Sequence, residues 1–153
     1  RIGDDRIEGT LVVHIIDAAH ELGIASPDAL LDRRVAAGNL DRLTAVMAQR
    51  LTLSGGATQA IEWGDVTPLP DRQALQVGFR IHTPRPATLG VHARLFPYDP
   101  LHQTFVNVYE GDQLRQQFVL SRDSADRTYY AGTVQGAVAV IGTFVPRGTS
   151  VRC

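Results

Sequence analysis

Histidine is the side chain in this sequence best suited to do chemistry. A neutral imidazole nitrogen binds divalent metals, and the ring titrates near neutral pH. There are five, His14, His20, His82, His92 and His102. His82 and His92 lie on consecutive stretches, "ALQVGFRIH" and "TLGVHARLF", on the face opposite the apolar residues. A "TPRPA" turn centred near Ala87 would make them cross-strand neighbours and a pair of ligands for a divalent transition metal. The plain alternative is two exposed histidines on the wet face of a sheet. His102 closes the loop of "FPYDPLHQTF". Pro97 and Pro100 fix φ and remove two backbone donors, so the loop is stiff and lies outside a sheet interior. Asp99, placed before Pro100, is biased to an extended or turn conformation. From there its carboxylate could orient the His102 ring, as carboxylates do around metal-bound or catalytic imidazoles. Alternatively His102 donates to a backbone carbonyl and staples a rigid corner.

The remaining candidates are weaker. Asp123 and Asp126, flanked by Ser121 and Ser124, are loop acids that could hold Ca²⁺ weakly, but the spacing is not that of an EF-hand. Asp4 and Asp5 read as solvated loop acids. Met47 reads as core filler rather than a soft ligand, and Trp63 as a core residue rather than a ligand platform. "LSGGATQA" lacks the Lys and Ser/Thr of a phosphate loop. No G-x-S-x-G elbow and no H-E-x-x-H pair occurs. The single cysteine, Cys153, excludes an internal disulfide and a cysteine-based zinc site. With no convincing nucleophile, a hydrolase built on His102 and Asp99 is the least favoured function, and the expectation is a protein that is not an enzyme.

The elements that would position these residues fall into two regimes. "RIEGTLVVHII", residues 6–16, alternates as a strand. Asp17 can cap the helical turn "DAAHELG", which Gly23 ends. "SPDALLDRR" offers Ser26 as a cap with Pro27 at the first helical position. "NLDRLTAVMAQRL" places Leu40, Leu43, Met47 and Leu51 on one apolar stripe. After residue 50 the period changes from 3.6 to 2. Strands are expected at "RLTLS", "ATQAIEWGDV", "ALQVGFRIH", "TLGVHARLF", "QTFVNVYE", "QLRQQFVLS" and "RTYYAG", and "GAVAVIGTFV" reads as a strand buried on both faces. A Gly55-Gly56 turn, a "TPLPD" corner and a "GD" turn separate them. Seven or eight short strands without a βαβ rhythm predict a mainly β fold. It would be an antiparallel β-sandwich, Ig-like in general architecture, with a short helical insert at about 17–50 between the first and second strands.

Length and composition agree. The 153 residues suit a single domain, and 44% hydrophobic with 20% charged residues is a globular composition. A net charge of −1, without a basic run or interleaved aromatics, argues against nucleic acid. No apolar run approaches the length of a membrane span. The start at Arg1 rather than Met reads as a processed or excised piece.

Three stretches, "RIEGTLVVHIIDAAHELGI", "LFPYDPLHQTFVNVYEGDQLRQQFVLS" and "VAVIGTFVPRG", together resemble the N-terminal extracytoplasmic domain of HupE/UreJ-like membrane proteins. Their pattern is an opening strand with an Asp-containing segment, a loop of the form "LF..DP.H" before a strand and a "YEG" hairpin, and a "TF" strand leading to the membrane. The resemblance implies a periplasmic or extracellular domain beside the membrane, partnered by the membrane part of the same or a neighbouring protein. It also implies a link to handling of nickel or another divalent transition metal. Asp99, Pro100 and His102 are the residues that map onto its motif. The family's next segment opens a transmembrane helix with His and Asp residues. This sequence reads "TSVRC" after Gly148, so those residues are not carried over. The alternative expectation is a freestanding periplasmic or secreted module that binds a protein partner through exposed strand edges.

Overall fold

The computed structural model describes residues 1–55 and 60–131. The expected strand at 136–145, the closing "VAVIGTFVPRG" block, Gly56 and Cys153 lie outside the described residues. The chain is mainly β, with antiparallel sheets and a helical insert between the first and second strands. β1 spans Arg6–His14, β2 Leu51–Ser54, β3 Glu62–Leu69, β4 Ala74–His82, β5 Thr88–Ala93, β6 Thr104–Glu110, β7 Gln113–Leu120 and β8 Asp126–Tyr130. Their order is β1-β4-β3 in one sheet, β2-β5-β8 in a second, with β6-β7 as a hairpin. Isolated bridges from Ile2 to Ile7 and to Glu110 connect the hairpin to the first sheet.

Alternation fixes which faces meet. In β4, Leu75, Val77 and Ile81 are buried, opposite Val13, Leu11 and Ile7 of β1. Leu89, Val91 and Ala93 of β5 and Leu51 and Leu53 of β2 bury the matching face of the second sheet, and Val108, Phe118 and Leu120 that of the hairpin. All belong to one apolar cluster, and the arrangement is sandwich-like. Phe79 is half-buried, because its ring lies over Gly9. A Cβ at Gly9 would stand 2.5 Å from the end of that ring. Trp63 meets Phe79 edge-on at 6.0 Å.

The insert differs in detail from the pattern-based expectation. β1 stops at His14, where its partner β4 begins at Ala74. Ile15 then donates its N–H to the Gln73 carbonyl (2.9 Å) and becomes the buried first residue of α1, Ile15–Leu22. The cap is therefore His14, whose Nδ1 accepts from the Ile16 N–H at 3.4 Å, and not Asp17, which sits inside the first turn. Gly23 ends α1 as expected, with φ 69°. Ser26 makes no side-chain cap. Pro27–Leu31 is a short 3₁₀ turn, and Asp32 caps α2, Arg33–Gly38, by accepting from the N–H groups of Arg34 and Val35. α3, Leu40–Arg50, buries Leu43 and Met47 in the core. No helix among the described residues is long and apolar enough to cross a membrane.

Two further departures concern strands. β3 starts at Glu62, later than expected, and runs through the "TPLPD" corner to Leu69. Pro68 is tolerated because, among the described residues, β3 pairs only with β4 and forms the sheet's edge. The second departure is the link 83–87, which is not a hairpin. Thr83 and Arg85 donate their N–H groups to the carbonyls of Asp5 and Asp4. Pro84 and Pro86 have no donors to close a turn, so the chain crosses from the first sheet to the second.

Candidate functional site

The proline corner and the helical insert meet. Phe96 N-terminal to the corner is buried, and the N–H groups of Asp99 and His102 donate to the carbonyls of Phe96 and Asp99 (3.1 and 3.2 Å). The Asp99 carboxylate is turned back on its own loop and accepts from the Leu101 N–H at 2.9 Å. This is the local turn chemistry expected of an aspartate before a proline. It leaves the His102 ring to another acid. Asp17 of α1 places Oδ2 3.9 Å from His102 Nδ1 and accepts a hydrogen bond of 2.5 Å from the Tyr98 hydroxyl. The Tyr98 ring stacks on His20 at 3.6 Å and 15°, and His102 meets Phe96 edge-on at 5.0 Å.

α1 presents Asp17, His20 and Glu21 toward this corner because the opposite face, Ile15, Ala18, Ala19 and Leu22, is spent on the core. Glu21 is held by Arg50 at the end of α3 (3.0 Å), and the same guanidinium nitrogen donates to the Leu95 carbonyl at 2.9 Å. The corner is thus pinned by α1 at Tyr98 and His102 and by α3 at its entry. Burial raises the Tyr98 phenol to about 12. The Asp17 hydrogen bond adds to the shift, as do the charges of Asp17, Asp99 and Glu21.

The expectation for Asp99 and His102 is therefore corrected in its partner. The two share a turn, but the carboxylate beside the imidazole is Asp17. His102 Nε2 lies 3.5 Å from the Thr104 hydroxyl, at the outer limit of hydrogen bonding, rather than on a backbone carbonyl. Carboxylate, imidazole and hydroxyl stand in the order of an acyl-transfer relay, yet both links are longer than proton transfer requires.

His82 and His92 are not neighbours. β4 and β5 belong to different sheets, so His82 pairs with Arg6 and lies 3.3 Å from Glu62, while His92 Nδ1 lies 2.6 Å from Asp126. That pairing commits Asp126 to β8, and Ser121 and Ser124 close a tight turn through reciprocal N–H···O=C bonds. The calcium arrangement is not assembled. His82–Glu62, His92–Asp126 and His102–Asp17 are three separate one-imidazole, one-carboxylate pairs. Among the described residues no three His, Cys, Asp or Glu side chains come together to hold a metal ion. Each of these pairs, among the described residues, offers two donors where a resident transition metal takes at least three protein ligands.

Sequence reasoning missed Asp17, Tyr98, His20 and the Glu21–Arg50 pair as partners of the corner. It also missed Glu110, which accepts from the Tyr129 hydroxyl and from Arg85 (2.8 Å) and so joins β6, β8 and the crossover link. Burial, then the Glu110 hydrogen bond and charge, raise the Tyr129 phenol, and Arg115 opposes the shift. Comparison with family models, with curated proteins and with solved structures gives no match.

Proposed function

We propose that this chain is the extracytoplasmic, non-enzymatic head of a HupE/UreJ-like membrane protein, a β domain that binds and assembles rather than catalyses. One observation carries the reading. The two motif-bearing stretches described here, the opening "RIEGTLVVHIIDAAHELGI" and the "LFPYDPLH" loop, meet through Tyr98 and Asp17 across 81 residues. A motif split so widely in sequence makes physical sense as one preformed corner with Leu101, 85% exposed, at its tip. Transition-metal handling, which the family implies, falls to the membrane part in this reading, because the described residues bring no three ligands together. The experiment is fractionation of cells making the complete natural reading frame, tagged at the domain. Recovery with the membrane, with the tag cut by protease added outside the inner membrane, is the expected result. Recovery in the cytosol overturns the proposal.

A second reading, a freestanding module for a protein partner, is favoured by Phe105 and Val119. They face each other across the β6–β7 hairpin and are both exposed. A reading frame that yields a processed, membrane-free periplasmic or secreted protein would select it.

A further inference from the structure

Behind the corner lies a cavity of about 150 Å³ whose floor is apolar, formed by Leu95, Phe96 and Leu120, and whose rim is rich in donors. Arg94 and Arg122 both border it. The Arg94 guanidinium donates to the Arg122 carbonyl at 2.9 Å, and neither arginine meets a carboxylate among the described residues. Some other surface arginines are answered, Arg80 by Glu8 and Arg85 by Asp4 and Glu110. Solvent-facing arginines without an acid are ordinary, but here two border one concavity. The hydroxyls of Thr104 and Ser121 and the His102 ring share the lining, so five side chains there can donate. Asp99 is the one acidic residue of the lining, and one of its oxygens already accepts from the Leu101 N–H.

Guanidinium groups with hydroxyls over an apolar floor are the complement of an oxyanion, since the planar fork of arginine matches carboxylate and phosphate oxygens. The volume is below that of a cavity for a drug-sized ligand, which selects a small guest. We propose that this cavity binds a small oxyanion, a carboxylate or phosphate, held by Arg94 and Arg122 with the Thr104 and Ser121 hydroxyls. The inference rests on the cavity alone, so it stands or falls independently of the membrane reading.

The test is calorimetric and NMR titration of the 153-residue chain with inorganic phosphate and, separately, with succinate, each at constant ionic strength set by sodium chloride. The expected result is saturable binding of at least one anion with a dissociation constant below about 1 mM. Phosphate alone saturating identifies the phosphate class, succinate alone the carboxylate class, and both the shared oxyanion chemistry. Arg122→Gln should weaken the binding at least tenfold without moving the melting temperature, because this exposed side chain makes no bond among the described residues. Ser121→Ala should weaken it two- to fivefold. The proposal is overturned if neither anion saturates, if sodium chloride alone reproduces the response, or if Arg122→Gln and Arg94→Gln bind as the parent does.

Discussion

Replacing Asp17 by Asn tests whether the corner is held from α1. The substitution keeps the size of the side chain and removes its charge. What is lost is the charge on the oxygen that accepts the 2.5 Å bond from Tyr98, leaving a weaker neutral acceptor, and the negative charge 3.9 Å from His102 Nδ1. A hydrogen bond to a charged group contributes about 1.5–3 kcal/mol when shielded from water. Tyr98 is 42% exposed, so water can replace part of that bond, and the expected loss falls to about 1 kcal/mol. For a chain of this length that lowers the melting temperature by about 2–4 °C. A double-mutant cycle with Tyr98→Phe isolates the pair, and a coupling of about 0.5–1 kcal/mol is expected. The second readout is spectroscopic. The chain has four tyrosines, and the difference between parent and Tyr98→Phe in an ultraviolet titration reports Tyr98. Its phenol should titrate at about 12 in the parent and move part of the way back toward 10 in Asp17→Asn, since burial, the largest cause, remains. The sign of the pH dependence follows. A phenol raised in the fold stabilises fully below pH 10, and that stability is lost as pH rises from 10 to about 12. A coupling under about 0.3 kcal/mol, with Tyr98 titrating alike in both proteins, would refute the latch.

Three further outcomes follow from the same geometry. Arg50→Ala removes the bonds to Glu21 and to the Leu95 carbonyl and leaves a mostly buried carboxylate behind, so urea unfolding should show a loss of about 2 kcal/mol, part of it restored by Lys. Glu110→Gln weakens acceptance from Tyr129 and Arg85 at the junction of β6, β8 and the crossover, and should cost about 1–2 kcal/mol by the same assay. Gly23→Ala meets no neighbour within 4 Å, so any loss comes from φ 69° alone and should be about 1 kcal/mol; a neutral result would mean the end of α1 adjusts freely.

Local pattern carried far in this chain where the information was local. β4 occupies the stretch "ALQVGFRIH" because alternation alone decides a strand with one buried face. The hairpin of β6 and β7 forms around Gly111, at φ 59°, because a tight turn between two β-patterned runs leaves them little choice of partner. α3 follows from its stripe, and Met47 is buried as the core filler its position suggested. What failed was pairing. Consecutive strands β4 and β5 look like a hairpin until the donors are counted. Two prolines in the link, and the capture of the Thr83 and Arg85 N–H groups by Asp5 and Asp4, send the second strand to another sheet. The same step separates His82 from His92 and dissolves the two-imidazole platform.

The error at His102 has the same origin and shows where the site's chemistry resides. An aspartate before a proline is more strongly claimed by the next backbone N–H than by a histidine three residues on, and Asp99 is spent in that way. The imidazole must then take its acid from outside the loop, and any polar residue on the solvent side of α1 could have qualified. Helical spacing narrows the choice, because Asp17, His20 and Glu21 lie at i, i+3 and i+4 and share one face opposite the buried one. That face was visible in the sequence; its destination was not, since only tertiary packing lays α1 beside residues 96–102. The corner is therefore a joint product of two segments, neither of which carries the arrangement alone. Substitutions on α1 should accordingly perturb whatever binds at the corner even where they touch no ligand.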